Sequence, residues 1–107
     1  MYSKVTMATQ TIGCVKAATK ILGDKWTPQL LRFFMNENAV RFGQIQDFVE
    51  GINPRTLSAR LANLEQEGII EKVTSPKTTR CEYRLTQKGL DLAPILRDMQ
   101  SWSERYL

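Results

Sequence analysis

The residues best suited to chemistry lie in a short stretch from Asn53 to Asn63. This stretch contains guanidinium, hydroxyl and amide side chains and no acidic residue. Such side chains hydrogen-bond to the edges of DNA bases, and arginine also binds phosphate. The candidate contact residues here are Asn53, Arg55, Thr56, Ser58, Ala59, Arg60 and Asn63. Two arginines also suit an ordinary solvated helix face, so the interpretation depends on the elements that would position them.

The composition excludes several kinds of catalytic and metal site. The 107 residues include no histidine and only two cysteines. Without histidine there is no Ser-His-Asp or Cys-His pair, no histidine base and no histidine-ligated metal. Cys14 and Cys81 do not form a CxxC pair, and two thiols are too few for a four-cysteine zinc or iron–sulfur site. We therefore expect no enzyme, no metal and no other cofactor.

Length and hydropathy indicate one soluble domain. Compact domains cluster near about 100–150 residues, and the chain is 42% hydrophobic and 24% charged. No apolar stretch approaches the roughly 20 residues of a membrane span, and residues 1–10 lack the apolar core of a signal peptide. We expect a flexible arm at 1–10, a single domain at 11–107 and a cytoplasmic location. The net charge of +4 suggests a polyanionic partner.

Helical signals surround the candidate contact residues. Asn53 suits an N-cap and Pro54 a first turn, and the leucines at 57, 61 and 64 recur at helical spacing, which predicts a helix over about 54–67. A first helix runs from 11 to its end at Gly23, and a second, central helix starts with Thr27 as N-cap and Pro28 in its first turn. A short amphipathic segment at 41–48 lies between this second helix and the helix at 54–67. Its apolar side comprises Phe42, Ile45, Phe48 and, directly after it, Val49.

The pattern changes after Gly68. Residues 69–85 are rich in β-branched and aromatic residues around a polar turn, which predicts a two-stranded hairpin. Thr86 then caps a last helix over about 87–106, which Pro94 should bend. This order, α+β but mainly α, is typical of a winged helix-turn-helix. In that fold the second helix of the turn enters the DNA major groove and the hairpin, or wing, lies along the backbone.

The positive charge falls on the elements that such a fold places on DNA. Residues 52–64 contain two arginines and no acid, giving +2, and residues 72–84 contain four bases and one acid, giving +3. Residues 86–107 contain three of each sign and balance. This distribution favours contact with double-stranded DNA over a merely solvated face. Further candidate contacts, on the wing and before it, are Lys77, Thr78, Arg80 and Arg41.

Several motifs in one order resemble a known family. They are residues 23–27 (GDKWT), 41–45 (RFGQI), 51–61 (GINPRTLSARL), 82–86 (EYRLT) and 92–94 (LAP), with Trp102 beyond. Over residues 12–106 the chain resembles the HxlR family of bacterial winged-helix transcriptional regulators, relatives of the MarR type. The resemblance implies a homodimer that binds a palindromic site and pairs through its first and last helices.

The last helix offers independent support for a dimer. It carries more apolar surface than one small core can cover, and large exposed apolar patches usually mark interfaces. The candidate interface residues are Leu90, Leu96, Met99, Trp102 and Tyr106. The alternative is that this helix only closes its own core.

The resemblance also implies a role for Cys14, since some family members sense electrophiles or oxidants through a cysteine near the N-terminus. Many members have proline after this cysteine, whereas here Val15 follows it. The alternative is that Cys14 lies on the core face of the first helix with Ala17, Ala18 and Ile21. A small-molecule effector is not identifiable, and Trp26 fits either a ligand pocket or a core anchor.

Cys81 shares a strand face with apolar residues, which suggests that it is buried and inert. A different function for the same fold is a winged-helix module that binds protein without specific DNA binding. The two functions differ in one simple observation, which is retention on duplex DNA at low salt.

Overall fold

The computed structural model describes residues 15–74 and 81–107. Residues 15–22 form helix α1. The elements that follow are α2 (Thr27–Asn36), β1 (Val40–Arg41), α3 (Phe42–Phe48), α4 (Pro54–Gln66), β2 (Ile70–Thr74), β3 (Cys81–Leu85), α5 (Gln87–Leu90) and α6 (Ala93–Tyr106). This is a winged helix-turn-helix, mostly helical with a small antiparallel sheet, as the sequence predicted.

The core lies where α2, α3 and α4 meet the sheet. Helix α2 contributes Leu30, Leu31 and Phe34, which are completely or almost completely buried. Helix α4 turns its predicted leucine stripe at 57, 61 and 64 into the same core. Phe48 does not follow its predicted placement, because its side chain is half exposed and stacks on Phe33 with ring centroids 4.5 Å apart.

The sheet has three strands rather than the predicted two. Its order is β1-β3-β2, and both pairings are antiparallel. Strand β1 pairs Val40 with Tyr83 and Arg41 with Glu82. A two-residue strand is too short to show the alternation by which strands are recognised in a sequence, so this element was missed.

Helix α2 begins differently from the sequence prediction. Trp26 occupies the N-cap position and Thr27 is the first helical residue. The capping carboxylate belongs to Asp24, whose Oδ1 accepts the N–H groups of Trp26 at 2.7 Å and Thr27 at 2.8 Å. The Thr27 hydroxyl donates to Oδ2 of the same carboxylate at 2.5 Å. Thr27 is therefore buried beneath the cap instead of providing it.

The predicted last helix is two helices. Thr86 caps α5 by accepting the N–H of Gly89 at 3.2 Å. Asp91 and Leu92 then separate α5 from α6. Pro94 lies in the first turn of α6 and does not bend a continuous helix, because a first-turn proline has no N–H to satisfy.

Helix α5 is fastened to the end of α4. The Thr86 hydroxyl lies 2.5 Å from the carbonyl oxygen of Gly68 and donates to it, and the Lys88 ammonium donates to the carbonyl of Glu67 at 2.6 Å. A Cβ atom on Gly89 would overlap the carbonyl oxygen of Ile69, so only glycine fits this contact. No helix within residues 15–74 and 81–107 is long and apolar enough to cross a membrane.

Candidate nucleic-acid interface

Over residues 55–63, helix α4 presents a polar face without acids opposite its buried leucines, and the half-buried Glu65 follows. Four of the predicted contact residues on it are exposed: Arg55, Ser58, Ala59 and Asn63. Thr56 is half-buried, and its N–H donates to the Oδ1 atom of Asn53 at 2.8 Å. Asn53 is thus the predicted N-cap, and its amide N–H donors are not used by this bond. Within the described residues Arg55 makes no ion pair.

Arg60 lies at the edge of this face and not in the open. Its Nη1 atom is 3.7 Å from Oδ2 of Asp24, and both side chains are only about a third exposed, at 33% and 28%. Burial raises the pKa of Asp24, but hydrogen bonds from Thr27 and Trp26 and the charge of Arg60 outweigh it and hold that pKa below its ordinary value. The carboxylate next to Arg60 is therefore ionised at neutral pH.

Two further arginines on this side of the molecule have carboxylate partners. Arg84 and Glu71 face each other across the wing, with Nε and Oε2 2.9 Å apart, and Arg41 lies 3.9 Å from Glu82. These pairs are exposed, so each contributes only about 0–1 kcal/mol to stability. The sequence count over residues 72–84 included Glu82 but not Glu71, so it left out the neutralisation of Arg84. The predicted wing contacts Lys77, Thr78 and Arg80 lie outside the described residues.

Asp24 was missed as part of the site by the sequence analysis. The signal was present, because Asp24 and Thr27 have the three-residue spacing of a helix cap and its first-turn donor, but Thr27 seemed to cap the helix itself. Trp26, for which two roles were open, packs against the core, and Lys25 lies over its ring at 4.7 Å. It is therefore a core anchor.

Helix α6 carries an apolar face that this protomer leaves uncovered. Trp102 is 57% exposed and Tyr106 64% exposed, and their rings lie 5.6 Å apart. Leu90 and Met99 are half exposed, whereas Leu96 is partly buried and packs against the core. No side chain of α6 is fully buried.

The shape agrees with this uncovered face. The radius of gyration is 16.2 Å, against about 13 Å for a compact chain of this length. A groove of about 480 Å³ lies between α2 and α6, with Pro28, Met35 and Leu96 among its lining residues.

The two cysteines differ in what the structure describes. Cys14 lies outside the described residues. Cys81 is a free thiol and is partly, not fully, buried on β3. Among the described residues no three histidine, cysteine or acidic side chains come together as a metal site.

Comparison with known proteins decides the family. The model of the HxlR-like helix-turn-helix matches residues 21–107. The chain belongs to the HxlR family. The helix-turn-helix transcriptional regulator YvaP of Bacillus subtilis is 36% identical over 91 residues, which is 84% of this chain and 83% of that protein. HxlR proteins of this group are transcriptional regulators, and the resemblance drawn from the sequence is confirmed.

Solved structures give the same answer for the fold of this HxlR chain. The reduced form of the regulator YodB from B. subtilis superposes with a TM-score of 0.77 at 30% identity, covering 85% of this chain and 89% of that one. YodB has also been solved in diamide-treated and quinone-bound forms. The redox regulator HypR in its reduced form gives a TM-score of 0.78 at 28% identity, over 85% and 90% of the two chains.

Proposed function

We propose that this HxlR protein binds double-stranded DNA through α4 and regulates transcription from a palindromic site. The observation that carries the proposal is the exposed, acid-free face of α4 opposite its buried leucine stripe. Arg55, Ser58 and Asn63 project from that face. Arginine pairs with guanine, asparagine pairs with adenine, and serine can bond to either kind of base edge. Ala59 lies on the same face, Asn53, Thr56 and Arg60 border it, and Arg41 with the wing residues Lys77, Thr78 and Arg80 would contact phosphate.

The proposed active form is a homodimer that covers α6. A second copy of this chain would cover α6, because a two-fold axis would place the apolar residues of one α6 against the same residues of the other. Such a dimer would set the two α4 helices about 34 Å apart, which is one turn of DNA.

Selection of bound sequences from a random DNA pool tests the proposal. Fluorescence anisotropy then measures the affinity for the selected duplex and for a random duplex over a series of salt concentrations. We expect tight, salt-dependent binding with a palindromic consensus. Arg55→Ala should weaken binding to the selected duplex by about 1–3 kcal/mol if Arg55 makes a bidentate base contact. The control is Arg105→Ala on α6, which removes the same charge and should leave the affinity unchanged.

Two results would contradict the proposal. A protein that binds no duplex at low salt would instead fit a winged-helix module that recognises another protein. If Arg55→Ala binds the selected duplex as tightly as the parent, the exposed face of α4 is not the contact surface.

A second element of the proposal is a response to oxidants or electrophiles through Cys14. It is supported by the similarity to YodB, which has been solved with quinone, and to the redox regulator HypR. Treatment with a quinone, which adds to one thiolate and needs no second cysteine, should release the DNA, and Cys14→Ser should abolish that release while Cys81→Ser retains it. Equal release in the Cys14→Ser variant and the parent would remove Cys14 from the mechanism.

A further inference from the structure

The Asp24–Arg60 pair joins the turn after α1 to the helix proposed to bind DNA. Asp24 lies between α1 and α2, and Arg60 lies in the second turn of α4. We propose that Asp24 is a specificity-determining positioning residue, which holds Arg60 in one orientation and reduces its attraction for DNA of arbitrary sequence. This inference rests on the proposed function and assigns to that surface a residue that does not itself contact DNA.

The carboxylate of Asp24 is held firmly. Its Oδ1 atom accepts two backbone N–H groups and its Oδ2 atom accepts the Thr27 hydroxyl. On the other side, a Cβ atom on Gly23 would overlap the carbonyl oxygen of Thr19, so the chain passes directly against the end of α1. The negative charge that faces Arg60 therefore has a fixed position.

The same turn contacts the start of α4 as well. The Trp26 ring lies 4.0 Å from the position that a Cβ atom on Gly51 would occupy, just before α4. Gly51 has a φ of 87°, a conformation that strongly favours glycine. The α1–α2 turn therefore lies next to α4 at two places, with Trp26 near Gly51 and Asp24 paired with Arg60.

Arg60 keeps free hydrogen-bonding capacity in this arrangement. The closest approach of 3.7 Å is an electrostatic contact, longer than a hydrogen bond. A guanidinium has five N–H donors in a planar fork, so Arg60 can bind a base or phosphate without leaving Asp24. The charge of Asp24 therefore draws the guanidinium towards the α1–α2 turn before DNA arrives.

Two effects on DNA binding follow from this geometry. A guanidinium drawn to one side of α4 best matches duplexes that place an acceptor there, which favours the correct site. A carboxylate beside the arginine also opposes every phosphate that approaches, which weakens sequence-independent binding, since that binding is almost entirely electrostatic. Together these effects raise the ratio of specific to random affinity.

The test is Asp24→Asn in the full chain, measured on the selected duplex and on a random duplex. Asparagine keeps the Oδ1 acceptor for the two N–H groups of the α2 cap and removes the charge. We expect random-duplex binding to tighten about three- to tenfold and the log–log salt slope to steepen by up to about 0.9, the value for one further phosphate contact. The specific-to-random ratio should fall accordingly.

Asp91→Asn is the matched control. Asp91 follows α5 and accepts a hydrogen bond from Gln87 at 2.9 Å, which asparagine can also accept. Asp91→Asn removes the same charge at a position that does not contact Arg60. The specific-to-random affinity ratio and the salt slope of this variant should therefore equal those of the parent. In an Arg60→Gln background, Asp24→Asn should leave the specific-to-random ratio unchanged, because no guanidinium remains to be positioned.

Arg60→Lys changes the other member of the Asp24–Arg60 pair and leaves the α2 cap intact. Lysine keeps the charge and loses the planar fork, so binding to random DNA should stay near the parent value while the selected duplex binds more weakly. The proposal is overturned if Asp24→Asn keeps the parent ratio and salt slope, or if Arg60→Lys keeps the parent ratio. A parent that binds no duplex at all overturns the proposed function itself, so the two failures are distinguishable.

Discussion

Gly89→Ala should destabilise the protein where α5 packs against the base of the wing. The new Cβ atom would overlap the carbonyl oxygen of Ile69 and lie 2.9 Å from Cδ2 of Leu85. The Ile69 carbonyl accepts the N–H of Thr86 at 3.0 Å and, at 3.2 Å, shares the hydroxyl proton that Thr86 donates mainly to Gly68, so moving this carbonyl disturbs both interactions. The backbone oxygen cannot rotate away as a flexible side chain could.

The magnitude follows from three opposing contributions. Overpacking costs about 1–3 kcal/mol, and weakening the hydrogen bonds to Ile69 costs about 1 kcal/mol more. Alanine in place of a helical glycine returns about 1 kcal/mol. The free energy of unfolding should therefore fall by about 1–3 kcal/mol, since steric overlap outweighs helix propensity here.

Urea denaturation monitored by circular dichroism measures this change, at one fixed protein concentration because a dimer's stability depends on it. Gly43→Ala is the matched control. Gly43 also lies in a helix, but a Cβ atom there meets no atom within 4 Å. That variant should gain up to about 1 kcal/mol. If Gly89→Ala is stabilised as Gly43→Ala is, the tight packing of α5 on the wing is wrong.

Three other changes follow from the structure. Leu61→Ala should lower the free energy of unfolding by about 2–5 kcal/mol in urea, since Leu61 is in the core; a loss below about 1 kcal/mol would contradict that packing. Trp102→Glu should turn a dimer into a monomer by light scattering while Ser101→Glu, next to it, stays dimeric; a dimeric Trp102→Glu would exclude this face of α6. Asp24 has a lowered pKa, so its stabilisation is present above the unfolded pKa near 3.8 and is lost as pH falls through the folded value. Asp24→Asn should therefore lose less stability than the parent between neutral and strongly acidic pH, and equal losses would refute the lowered pKa.

Local signals made α4 predictable from the sequence. Its N-cap, its first-turn proline and its leucine spacing all lie within a few residues of one another, and Gly68 beyond its end has the positive φ of 75° that favours glycine. Each signal acts through contacts inside the helix or at its end. Tertiary context was not needed to recognise it.

The features that the sequence analysis missed depend on contacts between distant segments. Strand β1 exists because β3 pairs with it, and α5 lies where Gly89 packs against Ile69. The Asp24–Arg60 pair joins residues on different elements, and no periodicity in the chain indicates such a contact. The sequence therefore predicted the outward-facing residues Arg55, Ser58 and Asn63 of α4, but it did not indicate that Arg60 is paired with Asp24.

The attachments at the two ends of α4 have a consequence for signalling. Asp24 pairs with Arg60 on one side of the helix, while Thr86 and Lys88 bond to the residues that directly follow α4. These attachments would make helix α4 move together, as one body, with the segments before α2 and before α6. In the proposed two-fold dimer, rotating one such body is matched by an equal rotation in its mate, so the angle between the two α4 helices changes by twice the rotation of either. A small rearrangement where the protomers meet is thereby doubled at the DNA.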